Sequence, residues 1–182
     1  MINEFSIHAK PTNKRATQVF AVCFLLSFAI LTLSTFLELY RGIVQLFGLG
    51  LLVAALVIYT KYLSPRYFYE IVLDSEGTPL FIVNQYIGKR MTTLCRIAFY
   101  EIVKVEYESA AARKTHKTAS GTKKYTYVPT LMPEYTCRIY TSSRRERAEI
   151  VIEVSEDVAK LLANYAQEAR ELFAAQSEDD EY

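Results

Sequence analysis

Hydrophobic positions follow different rules in different parts of this chain. Residues 16–37, ATQVFAVCFLLSFAILTLSTFL, and 42–60, GIVQLFGLGLLVAALVIYT, carry no charge and are apolar on every side. A bilayer core of about 30 Å needs roughly 20 such residues in a helix. A buried helix of a soluble domain would alternate polar and apolar faces instead. A cleaved signal sequence fits less well, because its apolar stretch is only about 7–15 residues and ends in a small-x-small cleavage site. Here no such site follows, and a second apolar run begins after Glu38-Leu39-Tyr40-Arg41. The pattern predicts a transmembrane hairpin over residues 16–62, with helices of about 16–39 and 42–62, preceded by a tail, residues 1–15.

After Pro65 the period drops to two residues. RYFYEIVLD (66–74), LFIVNQYI (80–87), MTTLCRI (91–97) and EIVKVEYE (101–108) read as strands, rich in aromatic and β-branched residues. The turns between them include DSEGTP and Gly88-Lys89-Arg90. YTYVPTL, YTCRIYT and RAEIVIEV read as three more, the last with Ile150, Ile152 and Val154 on one face. SEDVAKLLANYAQEARELFAAQ (155–176) then carries an apolar stripe at helical spacing through Val158, Leu161, Leu162, Tyr165, Ala169, Leu172 and Phe173. Ser155 suits the N-cap, and Glu156 and Asp157 suit the positive end of the helix dipole. The acidic remainder, SEDDEY (177–182), has no hydrophobic stripe and reads as disordered.

Seven antiparallel strands followed by one amphipathic helix give an α+β fold. This element order resembles the pleckstrin-homology-like (PH-like) domain, an open barrel or sandwich of two bent sheets capped by its last helix. A transmembrane hairpin directly before such a domain resembles bacterial membrane proteins that carry a PH-like domain. The resemblance covers Thr17 to Gln176 and implies a PH-like domain over residues 65–176, with Leu161, Leu162, Leu172 and Phe173 closing the barrel. It implies a fold rather than an activity.

Charge adds orientation. Lys10, Lys14 and Arg15 precede the first apolar run and Lys61 and Arg66 follow the second, whereas the connection between the runs holds Arg41 beside Glu38. Cations favour the cytoplasmic side, so both termini are expected in the cytoplasm and the hairpin tip outside. Tyr40, Tyr59 and Tyr62 fall where interfacial aromatics belong. A net charge of +1 gives no basic field of the kind that marks nucleic-acid binders. The three cysteines, Cys23, Cys95 and Cys137, form no C-x-x-C pair and fit a reducing compartment without disulfides.

Candidate chemistry is sparse. Within 91–97, alternation places Met91, Thr93, Cys95 and Ile97 on one face and Arg96 on the other. Cys95 therefore lacks a cation on its own side to activate it, and Cys137 alternates with Tyr135 and Ile139 as a small core residue. The histidines are His8 and His116, and the chain contains no zinc-spaced set, phosphate-cradling loop or nucleophile elbow. The expectation is a protein that is not an enzyme, binds no cofactor or metal, and acts as a membrane-anchored interaction or scaffold module with a protein partner. Loop 109–124 supplies the alternative, a peripheral sensor in contact with anionic lipid through Arg113, Lys114, Lys117, Lys123 and Lys124, and a membrane-bound enzyme with an unrecognised site is the third reading. Against specific headgroup recognition, the first strand-to-strand loop is expected to be DSEGTP, with two acids and no base, whereas phosphoinositide-binding PH domains carry basic residues there. Gly50 and Ala54 form a small-xxx-small pair suited to helix packing and to a homo-oligomer.

The orientation is checked with a membrane-impermeant thiol reagent on intact cells. Tyr40→Cys is expected to be labelled and Ser177→Cys to be protected; the opposite pattern means an inverted hairpin.

Overall fold

The computed structural model describes residues 5–8, 13–37, 40–75, 77–113, 121–142 and 147–179 of the 182-residue chain. They divide into two compact units: Pro11–Pro65 with Pro129–Met132, and the remainder.

The first unit is a helical hairpin. α1 (Lys14–Leu33) continues through a 3-10 turn to Phe36, and α2 (Arg41–Ile58) continues through a π turn, Tyr59–Leu63. Both helices are long and apolar enough to cross a membrane. At 1.5 Å per residue, Lys14–Phe36 is about 34 Å long. The two helices pack through Gly48, where an added Cβ would meet the Leu31 side chain at 3.0 Å. The buried Ser27 hydroxyl donates to the Gly48 carbonyl at 2.8 Å. Gly50 has no neighbour within 4 Å of such a Cβ, so it takes no part in this packing. At the other end, Asn13 Nδ2 donates to the Tyr62 carbonyl at 2.6 Å and fastens the start of the hairpin to its finish.

The second unit contains two four-stranded sheets among the described residues. The first sheet has the order β1-β2-β3-β4, from β1 (Phe5–His8), β2 (Pro65–Leu73), β3 (Pro79–Ile87) and β4 (Arg90–Ala98). The second has the order β5-β7-β8-β6, from β5 (Ile102–Ser109), β6 (Lys123–Tyr127), β7 (Tyr135–Ser142) and β8 (Arg147–Ile152). A single turn, α3 (Ala110–Arg113), follows β5, and α4 (Glu156–Asp179) ends the fold.

Several expectations change. Residues 5–8 lie within the expected tail, yet they form a strand antiparallel to β2, with Phe5 opposite Ile71 and His8 opposite Phe68. The chain leaves this pair beside His8 and returns before Phe68, so the whole helical hairpin is an insertion between neighbouring strands. DSEGTP is consequently the connection between the second and third strands. The sheets are not all antiparallel: β6 runs parallel to β8, with Tyr125 opposite Ile150. They also do not close into a barrel; the arrangement is that of a sandwich. α4 runs to Asp179, so the acidic end begins as helix.

The core lies between the sheets and α4. Tyr67, Tyr69 and Ile71 of β2 and Phe81 and Val83 of β3 meet Ile139, Ile150 and Ile152 of the second sheet, with Leu162, Ala166 and Ala169 from α4. Aromatic rings run through it: Tyr69 to Phe81 at 6.4 Å, Phe81 to Phe99 at 6.4 Å, and Phe99 to Tyr165 at 6.1 Å. The Tyr69 hydroxyl donates to the Tyr127 carbonyl at 2.7 Å and accepts from the Glu153 amide at 3.4 Å, joining the two sheets. Ser155 Oγ accepts from the Val158 amide at 3.5 Å, at the N-terminus of α4. The helical stripe is buried only as far as Ala169; Leu172 and Phe173 are exposed, Phe173 stacking on Tyr100 at 4.4 Å. They do not belong to the core because the stripe is longer than the surface it covers.

Leu162 is 1% exposed and Leu172 64%. Leu162→Ala is expected to destabilise the domain by about 2–5 kcal/mol, and Leu172→Ala by no more than about 0.5 kcal/mol. Unfolding of the full chain in detergent micelles measures both; equal effects contradict this placement of α4.

Candidate functional site

On the core side of the second sheet, Cys137, Ile139, Ile150 and Ile152 are apolar, and alternation turns Arg138, Tyr140, Glu149 and Val151 to the opposite face. Register then assembles a polar surface across all four strands. Lys124 stands opposite Glu149, Glu149 opposite Tyr140, and Arg138 opposite Glu106. Arg138 is 1% exposed and donates to both Glu108 and Glu149. Lys124 Nζ lies 3.3 Å from the same Glu149. Lys104 pairs with Glu106, which also accepts from the Tyr140 hydroxyl at 3.0 Å.

A charge taken out of water is tolerated only when paired, and removing one partner leaves the other stranded. Glu149, with no exposed surface, accepts two cations for that reason. Burial lowers the Arg138 pKa, but the hydrogen bonds and charges of Glu108 and Glu149 outweigh it and raise the pKa above the ordinary arginine value. Burial, followed by the bond to Glu106, pushes the Tyr140 hydroxyl pKa upward as well. Beside these groups, Val103, Lys104, Glu106, Tyr107, Glu108 and Tyr140 line a broad, open recess of about 750 Å³. Three carboxylates and three cations balance here, so the surface braces the sheet and offers a mixed-charge contact area.

The cations expected in one basic loop are distributed differently. Arg113 ends α3, Lys123 and Lys124 belong to strand β6, and Lys114 and Lys117 lie outside the described residues. Lys124 Nζ is paired with Glu149 at 3.3 Å. Among the described residues, no group of three metal-ligating side chains converges.

Cys95 also sits differently from the alternation. Val83 faces Cys95 but the next residue, Asn84, faces Thr93, so Leu94 is an extra residue, a β-bulge. The bulge breaks the shared face: Thr93 Oγ1 donates to Asn84, whose amide donates to Glu70, while Cys95 packs against the core. Burial raises the Cys95 thiol pKa to about 11 and the Cys137 thiol to about 12. Neither is poised as a nucleophile. Exposed aromatics flank the second sheet, with Tyr135 stacked on Tyr107 at 5.5 Å and Tyr125 on Tyr127 at 6.4 Å. Comparison with family models, with curated proteins and with solved structures gives no match.

The raised thiol has a measurable sign. From its ordinary value of 9.0 to about 11, the unfolded chain has released the Cys95 proton while the folded chain keeps it. This contribution to stability is fully present below pH 9.0 and is lost as pH rises towards about 11. Alkylation of Cys95 by iodoacetamide at pH 8 is expected to be about a hundredfold slower than for an unperturbed thiol, because two pH units separate their thiolate fractions. Site-resolved mass spectrometry measures the rate, and alkylation at the unperturbed rate contradicts the buried setting.

Proposed function

We propose that this protein is a membrane-anchored, non-catalytic interaction module that presents a PH-like domain to the cytoplasm. The observation that carries the proposal is the insertion of the apolar hairpin between the paired strands β1 and β2. Both ends of the hairpin enter one sheet, so both lie on one side of any bilayer it crosses. The cation distribution makes that side the cytoplasm. Element order supports the PH-like reading. A four-strand meander, β1 to β4, precedes β5, β7 and β8 of the second sheet and then a final helix, with β6 as an additional parallel edge strand.

The interaction role draws on the polar face of the second sheet and on Tyr125 and Tyr135, exposed at the rim of its opposite face. Its charged groups are paired with one another, which suits recognition more than proton transfer, and Tyr125 and Tyr135 are 41% and 49% exposed. Aromatic side chains that offer apolar area and a hydroxyl are favoured at protein interfaces. A photo-crosslinking amino acid replacing Tyr125 or Tyr135 in native membranes is expected to trap one discrete protein partner at both positions. A smear of lipid adducts, or no adduct, sinks the protein-interaction reading.

A further inference from the structure

The base of the helical hairpin carries three cations, Lys14, Arg15 and Lys61, that form no ion pair among the described residues. The bond from Asn13 Nδ2 to the Tyr62 carbonyl holds the first turn of α1 beside the π turn after α2. Lys14 and Arg15 follow Asn13, and Lys61 precedes Tyr62. All three cationic side chains are exposed, and among the described residues none of them forms an ion pair. The Lys61 ammonium lies 5.5 Å from the centroid of the Tyr62 ring, and Tyr59 on the same turn is 50% exposed. Cations and half-exposed tyrosines at the end of two apolar helices are the chemistry of the headgroup layer. At the opposite end of the hairpin, Arg41 is the single cation among the described residues.

We infer that this end of the hairpin binds the phosphate of an anionic phospholipid headgroup. Lys14, Arg15 and Lys61 supply the charge, and Tyr59 and Tyr62 supply amphipathic rings at headgroup depth. The inference rests on the reading of α1 and α2 as membrane spans and moves the lipid contact away from loop 109–124. Lys124 is already paired with Glu149, whereas among the described residues the three base cations form no ion pair, Lys14 and Arg15 in the first turn of α1 and Lys61 in the π turn after α2. The two lysine ammonium groups act here as point charges and Arg15 adds a planar fork suited to phosphate, so the site selects for the charged phosphate more than for the rest of the headgroup.

The test uses the full chain in mixed micelles of phosphatidylcholine and phosphatidylglycerol, with retained lipids counted by native mass spectrometry. Phosphatidylglycerol is expected to be retained in preference. Lys14→Gln, Arg15→Gln and Lys61→Gln are each expected to weaken that preference about fivefold, and Lys114→Gln with Lys117→Gln to leave it unchanged. Equal retention of the two lipids, or loss of the preference only in the Lys114/Lys117 variant, overturns the inference. Displacement of the adducts by millimolar inorganic phosphate assigns the site to free phosphate and also overturns it. Alkaline carbonate extraction separates this result from the anchoring itself. A protein that resists extraction but shows no lipid preference refutes only the headgroup site, whereas an extracted protein refutes the membrane spans as well.

Discussion

The pairing of residues 5–8 with residues 68–71 constrains everything else in this protein. A four-residue ladder is a small interaction, on the order of 1 kcal/mol net for each hydrogen bond. It joins segments separated in sequence by an entire helical hairpin. For a flexible connection, closure costs only about 0.6 kcal/mol more with each doubling of length. This connection is not flexible: packing of α1 on α2 around Gly48, and the Asn13–Tyr62 bond, already hold its two ends together. The helices make the strand pair accessible, and the strand pair obliges both ends of the hairpin to lead into a single sheet. A fragment beginning at Pro65 would lack β1 and leave an open edge on β2, a recognised liability in sheet proteins.

The second sheet solves a different problem. Its outward face would be ordinary solvated surface by alternation alone, yet Arg138 and Glu149 are covered almost completely. Such buried charges are tolerated because each meets opposite charges across neighbouring strands. The resulting brace of Glu108, Arg138, Glu149 and Lys124 spans β5, β7, β8 and β6, the last running parallel to β8 at the edge. Tyr127 of that strand then donates to the Leu94 carbonyl at 3.4 Å and receives the Tyr69 hydroxyl bond on its own carbonyl. One short edge strand thus links the polar face to the first sheet. Burial, followed by weaker charge interactions, pushes the Tyr127 hydroxyl pKa up to about 12.

Local pattern was enough for much of this architecture. Uncharged runs of helical length define the hairpin because an all-apolar helix has no soluble surface to show. Alternation in β5, β7 and β8, and the stripe from Val158 to Ala169, define the sandwich core and its helix, since side-chain direction follows backbone period. The setting of Cys137 was legible for the same reason. Four residues at the N-terminus carry too little periodicity to announce a strand, and only their distant partner β2 makes them one. The bulge at Leu94 reverses the face of Thr93 through a register shift that no local pattern records. Burial of Arg138, the pairing of Lys124 and the exposure of Leu172 and Phe173 all depend on where other strands and the limits of the core lie. The sequence by itself determined which segments are helices and most of the strands, because those follow from spacing along the chain. Only the tertiary structure decided which charges are paired, which strand closes around the hairpin and where the apolar stripe ends, because these depend on contacts between residues far apart in the chain.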